Sequence, residues 1–201
     1  SGAIHQPDRG SANPIHTTRG YGEAAKRHGA RILMHRAVRG IRLAKGKIKG
    51  IEIDGSLLSA KIVVNAAGAW SGEIARMVGL KIPIIFRRGQ MFVTQAAPKV
   101  LNHFIGIAES TIGRLDRTKM EEFDTPEYPA VVNGKVFYRV LYGRQTIHGQ
   151  VTFGGRSEFI GLDKTVTPDG IGSLAEHVTE FFPSFRDLLI IRTWAGIMPY
   201  T

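Results

Sequence analysis

The sequence predicts an α/β (α+β) chain in two parts, and three stretches carry that reading. The first is Lys61-Ile62-Val63-Val64-Asn65-Ala66-Ala67-Gly68-Ala69-Trp70-Ser71. Its short apolar run ends in small residues, as a strand buried on both faces of a parallel sheet would. Small residues at a strand's carboxyl end let a bulky ligand approach the backbone, and open α/β sheets bind ligands there. A plain strand-to-helix turn satisfies the same pattern. The second stretch sets Phe86, Arg88, Gln90, Phe92 and Thr94 in alternation with Arg87, Gly89, Met91, Val93 and Gln95, which predicts a strand with two distinct faces. The third is a pair of apolar runs, 135–142 and 150–154, around the turn His148-Gly149. The change of character places a domain boundary near Ile82-Pro83, between parts 1–82 and 83–193, with 194–201 returning toward the first.

Taken in order, 4–13 is a polar lead-in, Pro14 marks a helix start, and 17–28 carries helix formers until Gly29. Gly20 and Gly22 weaken that helix locally. Residues 30–35 read as a short apolar strand. Val38 to Ile53 reads as a hairpin about Ala44-Lys45-Gly46-Lys47, Asp54-Gly55 as another turn, and 59–65 as the strand that opens the first stretch. Ser71 is placed as the N-cap of a helix over 72–78, with Glu73 near its positive end, Gly79 closing it and Pro83 preventing continuation. Between 96 and 129 the signals are poor: 118–124 suits a short helix, and Pro98, Pro126 and Pro129 argue for loops. Val131-Val132 joins the strand at 135–142. Thr167-Pro168-Asp169-Gly170 leads into a helix over 171–182 that Pro183 ends, and 188–191 is the last apolar strand.

Composition narrows the function classes. Hydrophobic residues make up 43% of 201, enough for a core, and no apolar run reaches the roughly 18 residues of a membrane-spanning helix. With no cysteine there can be no disulfide, thiolate zinc site or cysteine-linked flavin within the chain. The seven histidines lack ligand-like spacing, so no metal site is expected. A net charge of +10 would suit nucleic acid or an acidic partner, but Arg36, Arg39, Arg42, Lys45, Lys47 and Lys49 lie along one solvent-facing hairpin. No nucleic-acid-binding motif accompanies them, and no nucleic-acid partner is expected.

The segments VVNAAGAWSGEIARMVGLKIPI and RRGQMFVTQ, with the ending Arg192-Thr193-Trp194-Ala195-Gly196-Ile197-Met198-Pro199-Tyr200-Thr201, resemble the FAD-dependent family of D-amino-acid oxidase, glycine oxidase and sarcosine oxidase. The likeness is greatest to its dye-linked proline dehydrogenase, opine oxidase and hydrogen cyanide synthase branch. It implies a partial FAD-binding Rossmann-like domain plus an antiparallel-sheet substrate domain. The implied activity is oxidation of an amine or amino acid by hydride transfer to flavin. It further implies a cytoplasmic enzyme acting on a small molecule, with homo- or hetero-oligomers and membrane association through partners left open. A non-catalytic binding or assembly module of the same fold is the alternative, and a basic nucleic-acid-binding domain a more distant one.

By this resemblance Ala37 and Val38 lie against the adenine, and Ala66, Ala67, Gly68 and Trp70 belong to the cofactor-binding segment. The sequence holds no G-x-G-x-x-G turn for the pyrophosphate, so the chain reads as an internal segment that holds FAD weakly or not at all by itself. No catalytic residue is expected, since a deprotonated amine needs no protein base. The protein must grip the substrate carboxylate, which an arginine fork with a tyrosine hydroxyl does well. Strand alternation puts Tyr138, Val140, Tyr142 and Arg144 on one face. Tyr142 matches the carboxylate-binding tyrosine of glycine oxidase in its distance from the turn glycine; a tyrosine packed on a sheet is the plain alternative. Met198 stands where glycine oxidase has its carboxylate arginine. Arg144 is therefore proposed to supply the charge, against the simpler reading of a solvated arginine. Met198 and Tyr200 are expected to line the pocket, and Trp194 to be buried packing.

Overall fold

The computed structural model describes residues 5, 10–106, 130–132 and 135–200; the helix expected at 118–124 lies outside them. The chain divides into two compact units, residues 1–66 with 73–81 and residues 67–72 with 82–201.

In the first unit, α1 (Pro14–Arg27) starts as its sequence requires. Asn13 Oδ1 accepts hydrogen bonds from the backbone N–H groups of Ile15 and His16, and Pro14 occupies a position whose N–H would be orphaned anyway. Lys26 and Arg27 sit at the negative end of the helix. Three antiparallel strands follow as a meander: β1 (Val38–Ala44), β2 (Lys47–Ile53) and β3 (Ser56–Ser59). Both connections have positive φ at both central residues, 48° and 72° at Lys45-Gly46 and 48° and 74° at Asp54-Gly55. That is the backbone of a two-residue hairpin turn whose twist matches the flanking strands.

Two expected strands are not formed. Residues 30–37 carry a turn at Met34-His35 instead of a ladder, and His35 has φ 59°, which breaks an extended run. Residues 62–67 have no regular structure, and Ile62 and Val64 are 80% and 83% exposed. A strand buried on both faces needs a hydrogen-bonded neighbour at each edge, and no described strand pairs with these residues. Past them the chain makes a 3-10 turn (Gly68–Trp70) and a short helix, α2 (Ser71–Arg76). Ser71 does not cap α2: its φ and ψ of −59° and −30° are already helical, because the preceding turn runs straight into the helix. Gly79 closes the segment at φ 76°.

The second unit is built on a six-stranded antiparallel sheet. Its strands are β4 (Ile85–Ala96), β5 (Ile105–Gly106), β6 (Ala130–Val132), β7 (Lys135–Gln145), β8 (Gln150–Glu158) and β9 (Ile190–Tyr200). The order is β5-β7-β8-β4-β9, with β6 added to β7. The last strand is much longer than the 188–191 segment read from the sequence, because Gly196 and Pro199 interrupt its apolar pattern without interrupting its pairing to β4. Helix α3 (Pro168–Phe181) covers one face. Phe92, Leu141, Val151, Phe153, Leu174, Val178 and Phe185 form the core between them.

The alternation of β4 sends Arg88, Gln90, Phe92 and Thr94 into that core side, where all four are nearly inaccessible. Arg88 donates through Nε and Nη2 to Glu158 Oε2 at 2.8 and 2.5 Å, and through Nη1 to the Thr165 carbonyl and Asp163. Gln90 donates to the same Glu158 oxygen at 2.9 Å and to Thr167 Oγ1, and accepts from the Thr167 N–H. Thr167 Oγ1 in turn caps α3 by accepting from Gly170 N–H. Elsewhere Gln145 performs a similar service. Its Oε1 accepts from Val100 and Leu101 N–H, and its Nε2 reaches the carbonyls of Ala97, Pro98 and Gly149.

Glu158→Gln should lower stability by about 3–5 kcal/mol in denaturant melts, since Arg88 would keep its buried charge with only the half-exposed Asp163 carboxylate left to it. Replacing Arg88 and Glu158 together by apolar residues of similar volume should cost far less. The Asp163 carboxylate is held below its ordinary range by hydrogen bonds from the Thr165 side chain and N–H, with Arg88 adding attraction. Its folded-state value lies under its unfolded one, so its contribution is present above the ordinary carboxylate range and disappears as pH falls through the folded value. Asp163→Asn should therefore flatten the acid limb of a stability–pH profile.

Candidate substrate site on the open face of the sheet

The opposite face of the sheet carries the residues singled out from sequence. Cross-strand partners in an antiparallel ladder share a face, so the register assigns them. One row reads Tyr142, Gly154, Met91, Trp194 across β7, β8, β4 and β9, and the next reads Arg144, Thr152, Val93, Arg192. On the other side of the first row come Gly89 opposite Gly196, then Arg87 opposite Met198, then Ile85 opposite Tyr200. A register shift between Arg139 and Tyr142, matched by one in β8 against β4, lies outside the segment 142–145. Tyr142 and Arg144 thus remain regular neighbours on one face, as the simple alternation of β7 requires.

Both side chains are half-buried. Phe104, just before β5, stacks on Tyr142 with ring centroids 6.3 Å apart and planes at 20°. Beneath them Gly154 leaves room: a Cβ there would stand 2.7 Å from Met91 Cγ and 3.1 Å from Tyr142 Cε2. Met91 and the Tyr142 ring therefore occupy the space a side chain at 154 would fill. Trp194 is half-buried in the same row.

Met198 belongs to the same face but not to the same place, and Tyr200 follows two residues further along β9. Three strand spacings and two rows separate Met198 from Tyr142, on the order of 14 Å across and 13 Å along the sheet. A molecule the size of an amino acid cannot touch both. Met198 is 40% exposed, and its Cε would be 3.3 Å from a Cβ at Gly89. The face thus has a Tyr142–Arg144 end and a Met198 end; between them Gly196 is open, whereas Gly89 is buried under the Met198 side chain. Sequence reasoning named neither Phe104 nor Met91 as a site residue. Met91 was visible in the alternation of β4, whereas Phe104 reaches Tyr142 only through the pairing of β5 with β7.

The residues expected at the cofactor fall partly in each unit, with Ala37, Val38 and Ala66 in the first and Ala67, Gly68 and Trp70 in the second. Val38 opens β1, as its place in a strand start required. Gly68 has φ 55°, a conformation that disfavours any side chain, and nothing stands within 4 Å of where its Cβ would be. Gly68 therefore offers uncovered backbone to an approaching group. Trp70 is 38% exposed with Lys164 Nζ 5.2 Å from its ring centroid, and its 3-10 turn lies against β9. Among the described residues there is no cluster of histidine and carboxylate side chains fit for a metal ion, and no helix long and apolar enough to cross a membrane.

Comparison with known proteins agrees with this architecture. The model of the family described as FAD dependent oxidoreductase (DAO) matches residues 1–201. Glycine oxidase of Pseudomonas putida is 27% identical over 165 residues, covering 82% of this chain and 37% of the relative. Hydrogen cyanide synthase subunit HcnC of Pseudomonas protegens is 24% identical over 189 residues, 93% of this chain and 38% of the relative. The chain therefore spans less than two-fifths of the length of these curated relatives. Among solved structures, L-proline dehydrogenase from P. horikoshii superposes with a TM-score of 0.70 at 28% identity, over 94% of this chain and 44% of that one. The antiparallel sheet with a helix packed on one face, the Arg88-Gly89-Gln90 motif on the strand between β8 and β9, and the match along the whole sequence lead to one assignment: the chain belongs to the FAD-dependent oxidoreductase family of the D-amino-acid oxidase type.

Proposed function

We propose that the chain is the substrate-presenting part of a FAD-dependent oxidoreductase that oxidises an amine or amino acid by transfer of a hydride equivalent. The observation that carries this is the pairing of Tyr142 and Arg144, adjacent on one face of β7 and half-buried beside the apolar Met91 and Phe104. An arginine fork with a phenol hydroxyl is suited to a carboxylate, and an apolar wall beside it suits the rest of a small amino acid.

The cofactor residues fit FAD in part. Ala66, Ala67 and the uncovered backbone of Gly68 would lie against the flavin, Trp70 would flank it, and Ala37 and Val38 would lie along the adenine. The chain has no glycine-rich turn for the pyrophosphate, so these residues would contact the cofactor without anchoring that group. FAD, when bound, supplies the acceptor for the two electrons. The chain's own residues hold and orient: Arg144 and Tyr142 fix the carboxylate, which turns the α C–H of the substrate toward the cofactor side. The amine arrives deprotonated, and no side chain of the face acts as a base. Met198 and Tyr200, at the far end of the same face, would border the cofactor rather than the carboxylate.

In the intact enzyme, Arg144→Ala and Tyr142→Phe should each weaken substrate binding. Loss of a hydrogen bond to a charged group, about 1.5–3 kcal/mol, corresponds to roughly ten- to a hundredfold in KM with a smaller change in kcat. Steady-state kinetics with an amino-acid panel gives the answer. Unchanged KM in Arg144→Ala for every oxidised substrate would remove this reading.

A further inference from the structure

Tyr142 can serve a substrate only if its ring is held, and two neighbours hold it. Phe104 lies stacked against one side, 6.3 Å between centroids and 20° between planes. On the other, the ring and the Met91 thioether share the space above Gly154. Phe104 is brought there by register, since β5 pairs Ile105 with Gly143 and Gly106 with Tyr142. It nevertheless remains 52% exposed, although it neighbours a strand whose other face packs the core. An aromatic ring left half in water beside a carboxylate-binding pair has apolar surface available to a ligand.

We infer that Phe104 is a positioning residue, which fixes the Tyr142 ring from one side while Met91 fixes it from the other. Its remaining exposed surface forms the wall that receives an apolar substituent of the substrate. The inference rests on the proposal that Tyr142 and Arg144 bind a carboxylate. It adds a preference: an amino acid with a compact aliphatic or ring side chain binds better than glycine, because that side chain covers Phe104 and Met91 while the carboxylate stays on Arg144. Gly154 is then a requirement of the same device, as any side chain there displaces Met91 or Tyr142.

The test uses the intact flavoenzyme and two carboxylates that are not oxidised, acetate and cyclopentanecarboxylate, titrated against the flavin absorbance spectrum. In the parent enzyme cyclopentanecarboxylate should bind more tightly than acetate. Phe104→Ala should weaken cyclopentanecarboxylate by roughly three- to tenfold and acetate by less, and Phe104→Tyr should restore both. Gly154→Ala, which leaves Phe104 in place, should weaken both ligands together by disturbing Tyr142. Equal affinities for both ligands in the parent, or Phe104→Ala titrations that match the parent while Tyr142→Phe weakens both, would overturn the role of Phe104 and leave the carboxylate site standing. If Tyr142→Phe changes neither affinity, the carboxylate site falls and the Phe104 proposal with it.

Discussion

A guanidinium with only 3% of its side chain in contact with water has to be answered in kind, and the second unit is arranged around that requirement. Arg88 finds Glu158 at the end of β8, and its remaining donor reaches the chain at 163–165. Taking both ions from water is costly, so the pair does not explain stability by itself. What it gives is placement. With Gln90 it fastens the end of one strand, the loop beyond it and the first turn of α3 to β4, between β8 and β9 in the sheet. Because side chains alternate along β4, every residue that serves this network has neighbours facing the other way. Those neighbours, Arg87, Gly89, Met91 and Val93, run down the middle of the candidate site. One strand thus holds the core with one set of side chains and supports the candidate site with the other.

Much of this was legible in the sequence because it is local. The two-faced character of β4, the hairpin turns at Lys45-Gly46 and Asp54-Gly55, the start of α1 at Pro14 and of α3 after Thr167 all follow from residues within a few positions of one another. The errors fall where neighbours far along the chain decide. Residues 30–35 and 62–65 have strand-like composition but no partner strand among the described residues, and composition alone cannot make a ladder. The length of β9 was underestimated for the converse reason, since β4 carries its pairing through Gly196 and Pro199.

The site was legible in halves. Tyr142 and Arg144 are neighbours by simple alternation, and their placement on one face agrees with it. That Met198 and Tyr200 stand some rows away could not be read without the strand order β7-β8-β4-β9, which puts two strands between them and Tyr142. Phe104 was unreadable for the same reason. It lies almost forty residues before its stacking partner, and only the sheet brings them together.

Gln145 gives this arrangement a further property. Its single amide grips both the start of the 97–101 connection and the Thr146–Gly149 turn, so the segment that runs on to Phe104 hangs from a fixed peg. Lengthening or shortening the few residues between Leu101 and Phe104 would reshape the rim they form, while the pairing of β5 with β7 keeps the aromatic ring over Tyr142. The fold thereby separates what must stay constant for the sheet to close from what can drift, and relatives could reshape this rim while leaving the sheet intact.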